Sequence, residues 1–250
     1  MATTTRPNGV VLYRGPSQYD GSPTVCILTG LVNPTDNVKV GREMLQTWVL
    51  TEDVLPSEAA KSGRDVGVCG GCPLRPSAGG GCYVVLFNAP NGIWRAFHRG
   101  VYPEVSLEQA LQLCAGKLVR LGAYGDPAAV PQEVWEWTLC RARGWTGYTH
   151  GWRHPKFQGL RRWCMASVET VAGAQAAAER GFSTYRVRPR GNNDLLPGEH
   201  QCPASDEAGH QKTCAECGAC SGRRDGQRFI SIQAHGARFR RAEAVIARGR

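Results

Sequence analysis

Ser106-Leu107-Glu108-Gln109-Ala110-Leu111-Gln112-Leu113-Cys114-Ala115-Gly116-Lys117-Leu118-Val119-Arg120-Leu121-Gly122 opens the part of the chain that decides the fold. Ser106 and Gln109 have capping-box spacing. They predict a helix to about Ala115, with Leu107, Ala110, Leu111 and Cys114 on one face. Lys117–Gly122 then reads as a strand. The rhythm repeats downstream. Pro131–Arg143 predicts a helix with Val134, Trp137 and Cys140 facing inward. Thr146–His150 and Cys164–Val168 predict strands. Thr170–Arg180 is an Ala-rich helix stopped by Gly181, and Ser183–Val187 is a strand again. Helices alternating with strands imply parallel βαβ units. The crossovers before Cys164 and Ser183 are tight, since a whole crossover takes roughly 10–12 residues. The expected fold is α/β, a partial (β/α) barrel of mostly parallel strands with cysteine-rich metal-binding loops. An open sheet satisfies the same pattern.

Working outward, Val10–Tyr13 predicts an edge strand, Thr24–Gly30 a buried strand, and Leu45–Leu50 another with Trp48 in the core. Asn33–Asn37 is a turn by composition. On the other side, Pro189–His200 reads as a loop, Phe229–Ala234 as a strand, and Ala237–Arg250 as a basic helix. Residues 1–104 carry the N-terminal strands and the first cysteine cluster, 105–188 the βα core, and 189–250 the second cluster. The three parts are expected to form one integrated domain.

Seven of the eleven cysteines fall into two clusters. Cys69, Cys72 and Cys82 have C-x2-C-x9-C spacing. Cys202, Cys214, Cys217 and Cys220 have C-x11-C-x2-C-x2-C spacing. Thiols two residues apart in Gly-rich loops can converge on one ion, which regular strands do not allow. Four thiolates suit tetrahedral zinc and a [4Fe–4S] cluster equally. The first cluster leaves a fourth position for Cys26, His98, water or substrate. Cys114, Cys140 and Cys164 lie on predicted helices and strands, where free cysteine acts as a small hydrophobe.

Polar residues gather where strands end, the place where α/β folds carry their sites. Asp126 follows Tyr124-Gly125 and is either a general base or the cap of a helix begun by Pro127. Tyr148, His150, Trp152 and Arg153 crowd one strand end. His150 suits metal ligation or proton transfer. Tyr148 and Trp152 suit stacking on a base, and Arg153 suits a phosphate. Glu169 and Arg188 (with Arg186) follow the next two strands and are expected at the same pocket. The candidate catalytic set is therefore Asp126, His150, Arg153 and Glu169. The candidate cofactor-binding set is Tyr124, Tyr148, Trp152 and Arg188.

The net charge of +9 and a pI near 9.2 suggest an anionic partner, with nucleic acid or a nucleotide first. A non-enzymatic, zinc-stabilised module would instead contact nucleic acid through Arg238, Arg240 and Arg241 and through the aromatic loop Thr146–His154. No run of 18 apolar residues is present, which argues against a membrane span. Residues 1–7 lack the apolar core of a secretory signal. The expected location is the cytoplasm, with cysteines reduced or metal-bound.

The chain resembles a family of proteins from phages and prophage regions. The resemblance rests on Leu12–Ser17, Cys69–Tyr83, Gly122–Pro127, Thr146–Trp152, Met165–Val168 and Cys202–Ser205. For a phage protein the location would be the host cytoplasm. More distantly, a cysteine cluster ahead of βα units is similar to radical-SAM-like partial barrels. That similarity would imply S-adenosylmethionine as cofactor, but the C-x3-C-x2-C motif of such enzymes is absent here.

Overall fold

The computed structural model describes residues Arg6–Gly249. Met1–Thr5 of the polar N-terminal stretch and Arg250 of the expected basic helix lie outside the described residues.

The chain starts with β1 (Gly9–Pro16), β2 (Pro23–Thr29) and β3 (Met44–Thr51), followed by α1 (Pro56–Ser62), α2 (Val66–Cys69) and α3 (Ala89–His98). The βα region contains α4 (Leu107–Cys114), β4 (Leu118–Tyr124), α5 (Gln132–Leu139), β5 (Gly144–Thr146), β6 (Tyr148–Thr149), β7 (Met165–Val168), α6 (Val171–Glu179) and β8 (Thr184–Arg188). The chain ends with β9 (Glu199–Gln201), α7 (Cys214–Cys217), β10 (Phe229–Gln233) and α8 (Phe239–Arg248).

Helix starts follow from local chemistry. The Ser106 hydroxyl accepts from the Gln109 backbone N–H, and the Gln109 side chain accepts from the Ser106 N–H, closing the expected box. Thr170 caps α6, and Gly181 ends that segment at φ +79°.

The strands form two five-stranded sheets, ordered β1-β2-β3-β4-β5 and β6-β7-β8-β10-β9. The first is antiparallel through β1, β2 and β3, then parallel from β3 onward. The second is parallel throughout. β5 pairs back to β4 while β6 pairs forward to β7, and only Gly147 separates them. The run 144–149 is therefore the seam between the sheets. Among the described residues no pairing joins β1 to β9, so the ladders do not close into a ring.

The main core packs Val25, Ile27, Val49, Val119, Leu121 and Trp135 together, all buried. At about 25 cal/mol per Å² of apolar surface, burying each such side chain contributes roughly 1.5–3 kcal/mol. Among the described residues no helix is long and apolar enough to cross a membrane.

Two expectations about α5 need correction. In α5 the inward tryptophan is Trp135, whose indole N–H donates to the Pro127 carbonyl at 2.9 Å, whereas Trp137 is 39% exposed. Residues two apart cannot share a helix face, and only Trp135 finds a partner for its N–H. The helix also stops at Leu139, leaving Cys140 exposed. The tight crossover before Cys164 is a compact one, made of 3-10 segments at Gly151–Arg153 and Pro155–Arg162. Helices α1, α2, α3 and α7 and strand β9 were not anticipated: α1, α2, α7 and β9 are too short to give a periodic signal, whereas the ten-residue α3 is amphipathic and its periodicity was passed over.

Candidate functional site

Side chains alternate across a strand, and this decides what the interior contains. Arg120, Gly122 and Tyr124 of β4, Thr146 of β5, Tyr148 of β6, Ser167 of β7, Tyr185 and Val187 of β8, and Ile230 and Ile232 of β10 line one cavity of about 640 Å³. All seven clustered cysteines and His150 line it too.

The first cluster is held by its own loop. Cys69 ends α2, and Cys72 follows through Gly70 at φ +54°, where any Cβ would strike the Tyr19 ring. The fully buried Asp65 pairs with Arg75 at 3.0 Å and accepts from Ser77, which folds the intervening loop. The Cys82 N–H donates to the Leu74 carbonyl at 2.8 Å. The neighbouring Gly81 lies flat against the backbone of Arg238 and Ala242, so α8 closes over this loop. The Asp126 N–H donates to the Val68 carbonyl at 2.7 Å, fixing the cluster at the carboxyl end of β4.

The second cluster packs beside the amino ends of β3 and β4, with Cys214 against Val40, Met44 and Leu118. A capping box of Thr213 and Glu216 starts α7. The Cys214 and Ala215 N–H groups donate to the carbonyls of Lys39 and Val40, just before β3. Cys202 donates to Ser231 of β10, and the Cys220 carbonyl accepts from Gly147 in the seam. The seam glycine thus ties the second cluster to both sheets.

Burial disfavours the thiolate at Cys69, Cys82, Cys202, Cys214 and Cys220. Burial raises the Cys69 thiol well above its ordinary pKa, and the negative charges of Cys72 and Cys82 raise it further. Burial pushes Cys82 up to about 11. Cys220 rises through burial, helped by the charges of Cys202, Cys214 and Cys217. A bound cation would reverse this balance. The hydroxyls of Tyr19 and Tyr124 are buried without a hydrogen-bond partner, and both rings feel the charge of Cys69. Orphaned buried donors are costly, and a metal-bound thiolate would give them a strong acceptor. Tyr148 stands within hydrogen-bonding reach of Cys220, and Tyr185 of Cys202. In chemical type, thiol donors of this kind suit a soft metal ion. Among the described residues, however, no three His, Cys, Asp or Glu side chains are placed to hold a metal ion together. All eleven cysteines are free thiols.

The structure separates the other expected residues. The largely buried His150 lines the cavity beside Cys72, with Nε2 2.6 Å from Glu169. That contact leaves Nδ1 for the Cys72 side. Burial disfavours charge on the ring, but Cys72 and Glu169 outweigh it and hold its pKa well above the ordinary value. Burial likewise opposes the Glu169 carboxylate, yet His150 and Arg153 lower its pKa. Glu169 and Arg153 do not line the cavity. They form a chain behind His150, and Arg153 covers the Trp152 ring at 4.4 Å.

Asp126 lines the cavity with its oxygens occupied. They accept from the Ala128 N–H, the Thr149 hydroxyl and the His150 N–H at 2.7–2.9 Å. Trp152 is buried away from the cavity, donating to the Ser167 carbonyl. Arg186 and Arg188 point to the opposite face of β8 from Tyr185 and Val187. Arg186 forms a buried pair with Glu199, and Arg188 donates to Ser231. Of the proposed fourth ligands, Cys26 is buried in the core of β2, and His98 bonds the Glu52 carbonyl. His150 is the residue beside the first cluster.

The sequence reading passed over Arg120, Tyr83 and Tyr185. The available signal was parity: Arg120 and Tyr124 share one face of β4. No family model, curated protein or solved structure matches the chain.

Proposed function

We propose that the protein is a metal-dependent enzyme whose two sheets form a partial (β/α) barrel around one interior site. In this reading, one metal centre sits at each end of the site. The observation that carries it is the meeting of both cysteine clusters and His150 on a single cavity. Residues from both sheets face that cavity, and the seam at 144–149 joins them, which supports the barrel.

The four-thiol set of Cys202, Cys214, Cys217 and Cys220 is the closed, structural or electron-carrying centre. Cys69, Cys72 and Cys82 provide three ligands and leave a position for substrate or for His150. Three protein ligands plus an open position are the usual arrangement of a catalytic metal. Zinc or iron–sulfur there would supply Lewis-acid or electron-transfer chemistry. His150, fixed through Nε2 by Glu169, would hold or move a proton at Nδ1. Asp126 would position His150 through its backbone. Tyr124, Tyr148 and Tyr185 would donate to the thiolates and form the wall.

The charge of +9 supports a nucleotide or nucleic acid as substrate. The non-enzymatic module is favoured by one observation, the exposed Arg238, Arg240 and Arg241 at the start of α8. The aromatic loop that this module would use is turned inward, with Trp152 only 3% exposed.

The test is metal analysis with a visible spectrum on protein purified without oxygen. About four iron and four sulfide per cluster identify iron–sulfur; colourless protein with stoichiometric zinc identifies zinc. Cys217→Ser should lose one centre and keep the other. Protein that retains no metal after anaerobic reconstitution overturns the proposal.

A further inference from the structure

Arg120 sits on the third residue of β4, with its side chain in the cavity wall and only 9% of the residue exposed. One guanidinium nitrogen, Nη2, donates to the Tyr83 hydroxyl at 2.8 Å. Among the described residues it makes no other side-chain hydrogen bond, and no carboxylate lies within ion-pair distance. The other cationic chains of the wall differ: Arg75 pairs with Asp65, Lys39 with Asp206 and His150 with Glu169. Buried charge is costly unless paired, and arginine stays charged. A guanidinium left without a carboxylate in a ligand-sized cavity therefore asks for an anion from outside.

The surroundings define the rest of that ligand. Tyr148 and Tyr185 lie with ring centroids 4.5 Å apart, and Tyr83 lies 5.3 Å from His235. Val187, Ile230 and Ile232 complete an apolar wall. A volume of about 640 Å³ falls within the range of about 300–1,000 Å³ that suits small molecules. A nucleic-acid strand needs a row of cations along its backbone, and this wall offers one without a carboxylate partner.

We propose that Arg120 is the anchor for the single anionic head of a small, flat organic substrate, of the size and kind of a nucleoside monophosphate. The head is a phosphate or carboxylate held by the guanidinium fork. The flat body lies against the tyrosine wall, between the two metal centres. This deepens the enzyme reading above and rests on its cavity, though anion binding at Arg120 does not itself require metal.

The test is titration calorimetry of the full chain with AMP, GMP, CMP, UMP, the matching nucleosides, benzoate and inorganic phosphate. Metal content is measured on the same samples. At least one organic anion should bind one-to-one. Its uncharged counterpart and free phosphate should each bind at least about tenfold more weakly, a difference of about 1.4 kcal/mol. Arg120→Gln should weaken binding roughly ten- to hundredfold, matching a charged hydrogen bond, and Arg120→Lys should weaken it less. The comparison of nucleotide with nucleoside uses the unaltered protein, so it holds even where Arg120→Gln does not fold.

Three results overturn the proposal: no organic anion in the panel binds, the nucleoside binds as tightly as its monophosphate, or Arg120→Gln leaves binding unchanged. Arg120 also lies near enough to Cys214 to lower its thiol pKa against the effect of burial. If Arg120→Gln loses metal from the second centre while anion binding is unchanged, Arg120 is only a counter-ion to that centre. Metal-loaded protein that binds no anion counts against the anchor alone. Metal-free protein that still binds the anion counts against the metal reading alone.

Discussion

Asp126→Asn separates a structural carboxylate from a chemical one. Asp126 is 6% exposed and accepts three hydrogen bonds: the Ala128 N–H and Thr149 hydroxyl on Oδ1, and the His150 N–H on Oδ2. Asparagine is an equally good helix cap, and its one oxygen can keep the first two. Its amide then faces the His150 N–H, donor against donor. Leaving that buried donor unpaired costs about 1–3 kcal/mol. The two surviving bonds lose charge assistance, about 1 kcal/mol each. Relief from burying a carboxylate offsets part of the loss, so the net cost is about 2–4 kcal/mol. At about 2–4 °C per kcal/mol for a chain of this size, Tm falls roughly 4–16 °C. Thermal and urea denaturation of metal-loaded and metal-stripped protein measure this. Both forms should be destabilised, because the network spans the start of a 3-10 turn, β6 and His150 without involving a metal. An unchanged Tm in both forms would refute the reasoning and return Asp126 to the list of proton-transfer groups.

Glu199→Ala should destabilise by about 3–5 kcal/mol, because it strands the buried Arg186 that pairs with Glu199 at 2.5 Å and 2.8 Å. Arg186→Met/Glu199→Leu should recover most of that loss, and a double variant no better than the single one would argue against the pair. Cys217→Ser should lower both metal content and Tm, since metal binding and local folding are coupled; equal values in variant and parent contradict the assignment. The Glu169 carboxylate has a folded pKa below its ordinary 4.5 despite burial, because His150 and Arg153 favour its charged form. Its contribution is present above about pH 4.5 and is lost as pH falls through the lower folded value. Acid titration of Glu169→Gln should lack that loss, and an identical acid limb would show that another group carries it.

The order of strands and helices after residue 105 was legible because periodic apolar residues and caps are local signals. Ser106, Gln109, Thr170 and Gly181 act within one turn of themselves, and each does in the structure what its spacing implies. The phase of α5 was not legible. Trp135 and Trp137 are equally apolar, and the choice between them is made by the Pro127 carbonyl, which the fold brings to the Trp135 indole. Arg186 and Arg188 misled for a related reason. Their place after a strand suggested the pocket, but parity with Tyr185 and Val187 puts them on the other face of β8.

The meeting of the two cysteine clusters is the feature furthest from sequence. Nothing in Cys69-Gly70-Gly71-Cys72 points to Cys214 more than a hundred residues later. They share a cavity because Asp126 holds the first loop at one end of β4, while the carbonyls of Lys39 and Val40 hold α7 near the other. Arg120 lies on the strand between them. The same strand position read from sequence alone is one more arginine in a basic chain. What distinguishes it is the missing carboxylate, since Arg75 and Lys39 in the same wall each have one. Charge pairing across the cavity, more than net charge, therefore argues for a small anion as the substrate class, and it does so independently of which metal the thiols take.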